Sequence, residues 1–141
     1  MLSAPKVSSS ITLEEVKSQI YSRNNPTLTP IDIEMHASTV HRILELKRKH
    51  NVFMLGHNYM EPLVFGLSTE KEQGDSLALS MQAVQTDSNI LIFNGVRFMA
   101  ETAKVLNPNK TILIATHNRD IAKRADYTLR LSNGNIKRVN V

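Results

Sequence analysis

The sequence predicts an α/β protein, a parallel sheet with flanking helices, followed by a C-terminal β-hairpin. Three observations carry that reading. Val52–Phe53–Met54–Leu55, Ile90–Leu91–Ile92–Phe93 and Ile112–Leu113–Ile114 are short continuous apolar runs, the pattern of parallel strands covered on both faces. Stretches with helical periodicity separate them, and strand–helix alternation with short links builds a parallel sheet through crossover helices. Asn133–Gly134 lies between two alternating segments, and a type I′ hairpin turn needs residues that accept positive φ at both central positions.

Taken in order, residues 1–11 read as a flexible lead-in. Thr12 and Glu15 have capping-box spacing and open a short helix running to about residue 23, which Asn24, Asn25 and Pro26 break. Thr29 caps a second helix with Pro30 at its first position, where a missing N–H costs nothing. Ile33, Ala37, Val40 and Leu44 form one helical stripe, and Lys47, Arg48, Lys49 and His50 suit the negative end of the helix dipole. After the first strand, Leu77, Met81 and Val84 share one face of a third helix. Phe98, Thr102 and Val105 share a face of a fourth, which Asn107–Pro108 stops. A short polar helix is expected around residues 120–125, then strands at residues 127–131 and 136–139. The chain divides accordingly into N-terminal helices (1–50), an α/β unit (51–115) and a helix-plus-hairpin tail (116–141).

A chain of 141 residues is long enough for one domain with a real core. No apolar run approaches the ~18–20 residues that a membrane span needs, and the N-terminus lacks a charged-then-apolar leader, so the cytoplasm is the expected location. The chain has no cysteine, which removes disulfides, thiolate zinc sites and thiolate-held iron–sulfur clusters together. Net charge is +4, and residues 119–141, with six basic residues against Asp120 and Asp126, account for all of it. That tail lacks aromatic interleaving beyond Tyr127, so it reads as a solvated face and not as a specific nucleic-acid site. His36 and His41 are five apart, on different helix faces, and make no metal pair. Glu101 and Lys104, three apart, read as a solvated helix pair.

Ligands of an open parallel sheet bind beyond the C-terminal strand ends, where helix N-termini present free N–H groups. Gly56–His57–Asn58–Tyr59 follows the first strand, and Gly74–Asp75–Ser76 opens the next helix. An imidazole, a phenol and a hydroxyl at a helix N-terminus suit a small anion bearing phosphate or carboxylates. The alternative for the same residues is that Asp75 or Ser76 is an N-cap and Tyr59 packs a loop. The pattern assigns no catalytic residue and no metal ligand.

Four motifs occur in order: Gly56–His57–Asn58–Tyr59–Met60–Glu61–Pro62, Gly74–Asp75–Ser76–Leu77, Gly95–Val96–Arg97–Phe98–Met99–Ala100–Glu101–Thr102–Ala103–Lys104, and Leu106–Asn107–Pro108–Asn109–Lys110–Thr111. Together they make residues 51–114 resemble the first domain of quinolinate synthases. The resemblance implies a cytoplasmic transferase of de novo NAD biosynthesis, condensing iminoaspartate with dihydroxyacetone phosphate to give quinolinate. It also implies a fold of three similar α/β domains, each giving one cysteine to a [4Fe-4S] cluster with one iron open as a Lewis acid. Carried over by motif, His57 and Ser76 bind the substrates' anionic groups and Tyr59 lines the same pocket. With no cysteine in this chain, no cluster is expected to bind it. The family pattern is left at Ala115. From Thr111 through Asp120, and on through Ala122–Lys123–Arg124–Ala125–Asp126 and the hairpin, the tail looks like the end of an ATP-binding cassette ATPase. His117 stands where that family has its switch histidine, but no Gly-x-x-x-x-Gly-Lys-[Ser/Thr] loop is present to hold phosphates. The expectation is a truncated or recombined quinolinate synthase fragment, inactive alone. The alternative is a non-catalytic α/β binding or interaction module.

Overall fold

The computed structural model describes residues 12–22 and 28–139. The expected lead-in over residues 1–11 and the break at Asn24, Asn25 and Pro26 lie outside them. Helices α1 (Leu13–Ser22) and α2 (Pro30–Lys49) both begin on side-chain caps. The Glu15 carboxylate accepts from the Thr12 amide at 2.7 Å, and the Thr12 hydroxyl accepts from the Glu15 amide at 3.2 Å. At the start of α2 the Thr29 hydroxyl accepts from the Asp32 amide at 3.2 Å, and Asp32 accepts from the Thr29 amide at 2.8 Å. Hydrogen bonds from the Thr29 hydroxyl and amide hold the Asp32 carboxyl below the usual carboxylate range. This second box goes beyond the expected Thr29–Pro30 start. Helix α2 ends where Asn51 takes φ 48°, a left-handed conformation that asparagine tolerates. Ile33, Ala37 and Val40 are buried as expected, and α1 lies against α2 with Lys17 paired to Glu34 at 2.9 Å.

Strands β1 (Val52–His57), β2 (Gln73–Gly74), β3 (Ile90–Asn94) and β4 (Thr111–Ile114) form one sheet in the order β2-β1-β3-β4, every pair parallel. The short helix α3 (Pro62–Phe65) follows β1, α4 (Ser76–Gln85) links β2 to β3, and α5 (Arg97–Leu106) links β3 to β4. The core is where α4 and α5 meet the sheet: Leu55, Leu91 and Phe93 from the strands, Leu79 and Ala83 from α4, and Met99, Ala100 and Ala103 from α5. The stripes that the sequence singles out on these helices point elsewhere. Leu77, Met81 and Val84 are 71%, 54% and 50% exposed, and Phe98 and Val105 are 59% and 79% exposed. Alanines take the inner positions because a small side chain lets a helix approach the sheet closely. Strand β1 has both α2 and α4 packed against it. On β4, Leu113 stays 42% exposed, while Ile112 and Ile114 face the core.

Strand β2 is only two residues long and leaves the outer edge of β1 unpaired at Met54. Two buried side chains complete that edge, where an open N–H and C=O would be costly. The Glu72 carboxylate accepts from the Met54 amide at 3.1 Å, and the Ser68 hydroxyl donates to the Met54 carbonyl at 2.6 Å. Glu72 also accepts from the Thr69 amide at 2.7 Å and from the Lys47 ammonium, which donates in addition to the Leu67 carbonyl at 3.1 Å. Lys47 is therefore a partner of a buried carboxylate as well as part of the basic end of α2. Lys110 closes the end of α4 by donating to the carbonyls of Ala83 at 3.1 Å and Thr86 at 2.5 Å.

The expected Glu101–Lys104 pair does not form. Glu101 binds Arg97 at 3.0 Å and Arg124 at 3.6 Å, while Lys104 donates to the carbonyls of Pro108 and Lys110, both at 3.0 Å. In the tail, α6 (Arg119–Ala122) is a single turn, shorter than the stretch expected. Strands β5 (Thr128–Ser132) and β6 (Asn135–Val139) make the expected antiparallel hairpin, with Asn133 at φ 48° and Gly134 at φ 73°. Among the described residues no helix is long and apolar enough to cross a membrane.

Candidate functional site

His57 is the last residue of β1, and it pairs in register with Gly74 of β2, two residues before α4 begins. The parallel register therefore brings the C-terminal end of β1 to the start of α4. Asp75 is the N-cap of α4, its carboxylate accepting from the Ala78 amide at 2.9 Å. Ser76 is thus the first helical residue and not the cap, which leaves its hydroxyl available for other contacts. That hydroxyl lies 3.4 Å from His57 Nε2. On the opposite side of the ring, His57 Nδ1 accepts the Tyr59 amide at 3.2 Å. The His57 side chain is 5% exposed, so its two nitrogens meet protein groups in a largely dry setting.

Tyr59 behaves differently. Its ring centre is 4.8 Å from that of His57 at a 34° tilt, yet the residue is 89% exposed. Its amide hydrogen-bonds the histidine, while its ring lies largely in solvent over the strand end. The turn from β3 into α5 closes the corner from the other side. A Cβ on Gly95 would sit 3.3 Å from His57 Cβ, so a glycine there lets the backbone pass close to the ring. A Cβ on Gly74 would lie 2.9 Å from the Ala78 Cβ, inside ordinary contact, so the approach of β2 to α4 also depends on a glycine.

The three residues singled out from the sequence, His57, Tyr59 and Ser76, therefore come together at one corner beside the start of α4. Gly95 belongs to the same corner and was not assigned a role from sequence. Its signal is a glycine one residue past an apolar run, at the strand end where ligands of such sheets bind. His117, by contrast, is an exposed residue of the segment between β4 and α6. Three groups at the corner carry hydrogens to donate, the imidazole, the Ser76 hydroxyl and the Tyr59 phenol, a set suited to an oxygen of a carboxylate or phosphate. Among the described residues no group of three His, Cys, Asp or Glu could hold a metal ion.

Residues 41–125 match the protein family described as "Quinolinate synthetase A protein". The chain is 41% identical over 103 residues to Quinolinate synthase 2 of Mesorhizobium japonicum, covering 73% of this chain and 32% of that protein. It is 43% identical over 95 residues to Quinolinate synthase 1 of the same organism, covering 67% of this chain and 29% of that protein. With Quinolinate synthase of Agrobacterium fabrum the identity is 51% over 75 residues, covering 53% of this chain and 21% of that protein. The chain thus spans a third or less of the length of these relatives.

Proposed function

This chain belongs to the quinolinate synthetase A protein family, and we propose that it is a substrate-binding portion of a cytoplasmic quinolinate synthase of de novo NAD biosynthesis. The reaction is the condensation of iminoaspartate with dihydroxyacetone phosphate to quinolinate. Both substrates are small anions, one a dicarboxylate and the other a phosphate ester. The observation that carries the reading is the placement of the Ser76 hydroxyl against His57 at the C-terminal end of β1, where ligands of open parallel sheets bind. Ser76 and His57 hold an anionic oxygen, and the exposed Tyr59 phenol lines the same corner. The unit 51–115 carries this corner, with α2 packed against β1.

The family carries a [4Fe-4S] cluster, and the residues of this chain do not fit one. Such clusters are held by cysteine thiolates, and the sequence has no cysteine. Lewis-acid chemistry at a cluster would therefore draw its thiolates from elsewhere. The same absence favours a second reading, a non-catalytic α/β binding module that keeps the anion corner. A chimera separates the two. Residues 41–115 of this chain replace the matching segment of the Mesorhizobium relative, with that segment's cysteine restored if the replacement removes one. Quinolinate formation that falls when Ser76→Ala is introduced supports the enzyme reading. An inactive chimera that folds as the parent does contradicts it.

A further inference from the structure

The C-terminal hairpin stands apart from the rest of the fold. Among the described residues β5 and β6 pack closely only on each other, and an isolated two-stranded hairpin is at best marginally stable in water. Its register sets Leu129 opposite Arg138, Arg130 opposite Lys137 and Leu131 opposite Ile136. Successive side chains of a strand point to opposite faces. Leu129, Leu131, Ile136 and Arg138 therefore share one face, and Arg130 and Lys137 share the other. The three aliphatic residues are each at least 60% exposed. Arg138, the cation on their face, lies over the Tyr127 ring, its guanidinium carbon 4.3 Å from the ring centre. The hairpin thus has an apolar face and a basic face, with no element packed closely on either.

Its two edges differ. The sheet ends at each strand, so each outer edge offers unpaired N–H and C=O groups. The register runs from Thr128 to Ser132 without a bulge, and neither strand contains proline, two devices that commonly blunt an edge. Cationic side chains are a third: β6 carries Lys137 and Arg138 in succession, whereas β5 carries only Arg130, set between Leu129 and Leu131. The edge of β5 is the less guarded. A third strand there would lay alternate side chains beside Leu129 and Leu131 on one face and beside Arg130 on the other. Cross-strand neighbours favour apolar against apolar and opposite charges together. Residues 119–141 hold the whole positive excess of the chain, so acidic side chains complement the second face. Another hairpin of this chain would bring the same positive charge. The exposed side chains of Tyr127, Leu129, Leu131 and Ile136 also amount to only on the order of 500 Å², short of the ~800 Å² that each member of a stable dimer buries.

We propose that the outer edge of β5 docks an extended segment of a partner protein, in which apolar residues alternate with aspartate or glutamate, as the third strand of this sheet. Main-chain hydrogen bonds supply the affinity, and the alternation supplies the selectivity. The strand lies beyond the family match, which ends at residue 125, and its role is independent of the anion corner.

The test titrates the full chain, labelled with ¹⁵N, with three capped peptides. One alternates valine and glutamate, one alternates valine and lysine, and the third is the glutamate peptide N-methylated at every residue. The glutamate peptide should shift the amides of residues 128–132 saturably, and the other two should not. Arg130→Glu, at an exposed position, should weaken the glutamate peptide about fivefold, as a favourable cross-strand charge pair becomes unfavourable, and should admit the lysine peptide. Absence of a saturable shift with the glutamate peptide refutes the proposal. Equal binding of the N-methylated peptide overturns strand addition, and equal binding of the lysine peptide to wild type overturns the charge selection. Shifts confined to Arg119, Lys123 and Arg124 would mark general attraction to a basic surface. Tighter binding of a single-stranded oligothymidine at residues 128–132 would assign the edge to nucleic acid. Broadening at β5 that grows with protein concentration in the absence of peptide would place a second copy there. Each of these three results contradicts the proposal.

Discussion

Replacing Glu72 by alanine should destabilise the fold far more than a surface glutamate would. The side chain is 5% exposed and engages three donors: the Met54 amide, the Thr69 amide and the Lys47 ammonium. While the Thr69 amide, on an exposed residue, can turn to water, truncation leaves the buried Met54 amide without its partner, worth about 1–3 kcal/mol. It also strands Lys47, and breaking a buried pair by removing one member typically costs about 3–5 kcal/mol. Lys47 keeps the Leu67 carbonyl and has 12% of its side chain exposed, so its share falls to about 2 kcal/mol and, with about 1 kcal/mol for the Met54 amide, the expected loss is ~3 kcal/mol. Urea unfolding followed by far-UV circular dichroism measures it. With a slope of roughly 2 kcal/mol per molar urea, the midpoint should fall by ~1.5 M. Glu70→Ala, an exposed neighbour in the same 3₁₀ turn, should stay within about 0.5 kcal/mol of wild type. A Glu72→Ala loss below ~1 kcal/mol would show that the edge of β1 is not held by this carboxylate, because even one orphaned amide should cost that much.

Three further outcomes follow from the same geometry. Leu79→Ala, at a fully buried position of α4, should cost about 2–5 kcal/mol, while Leu77→Ala on the exposed face should stay within about 0.5 kcal/mol, both read from urea midpoints. The Thr29–Asp32 box should loosen in acid. Because the folded Asp32 carboxyl is held low by Thr29, its contribution is present above the ordinary carboxylate range and is lost as pH falls through the folded value. Amide shifts in the first turn of α2 report this, and Asp32→Asn should abolish that pH response. The basic tail should bind ATP only weakly, with binding that fades by ~0.5 M salt and is unchanged in His117→Ala. Saturable, salt-resistant binding removed by that substitution would show nucleotide chemistry that the chain's missing phosphate loop argues against.

The sequence made some parts of this fold legible because their causes are local. Asn133–Gly134 encodes its turn in two residues, and Thr12 with Glu15 encodes a cap in four. The strands were visible because a run such as Ile90 to Phe93 needs cover wherever it lies. The inner faces of α4 and α5 were not visible. Leu77 and Phe98 outweigh Ala83 and Ala103 in any hydrophobic pattern, yet the alanines are the residues against the sheet. Nor could the Lys47–Glu72 pair be read, since it joins the end of one helix to a turn 25 residues later. Strand β2 carries only Gln73 and Gly74, too short for a pattern. At the corner, the residues His57, Tyr59 and Ser76 were found by motif, but the orientation of each was not. That depended on Asp75 taking the cap and on the Tyr59 amide turning back to the ring.

The central claim, that an anion is held at the end of β1, is tested most directly by NMR titration of the full chain with phosphate and succinate, beside Ser76→Ala. The account predicts amide shifts at His57, Tyr59 and Ser76 with a dissociation constant of roughly 1 mM, equivalent to about 4 kcal/mol, and their loss in Ser76→Ala. Identical shifts in both proteins, or shifts confined to the basic residues 119–141, would contradict it.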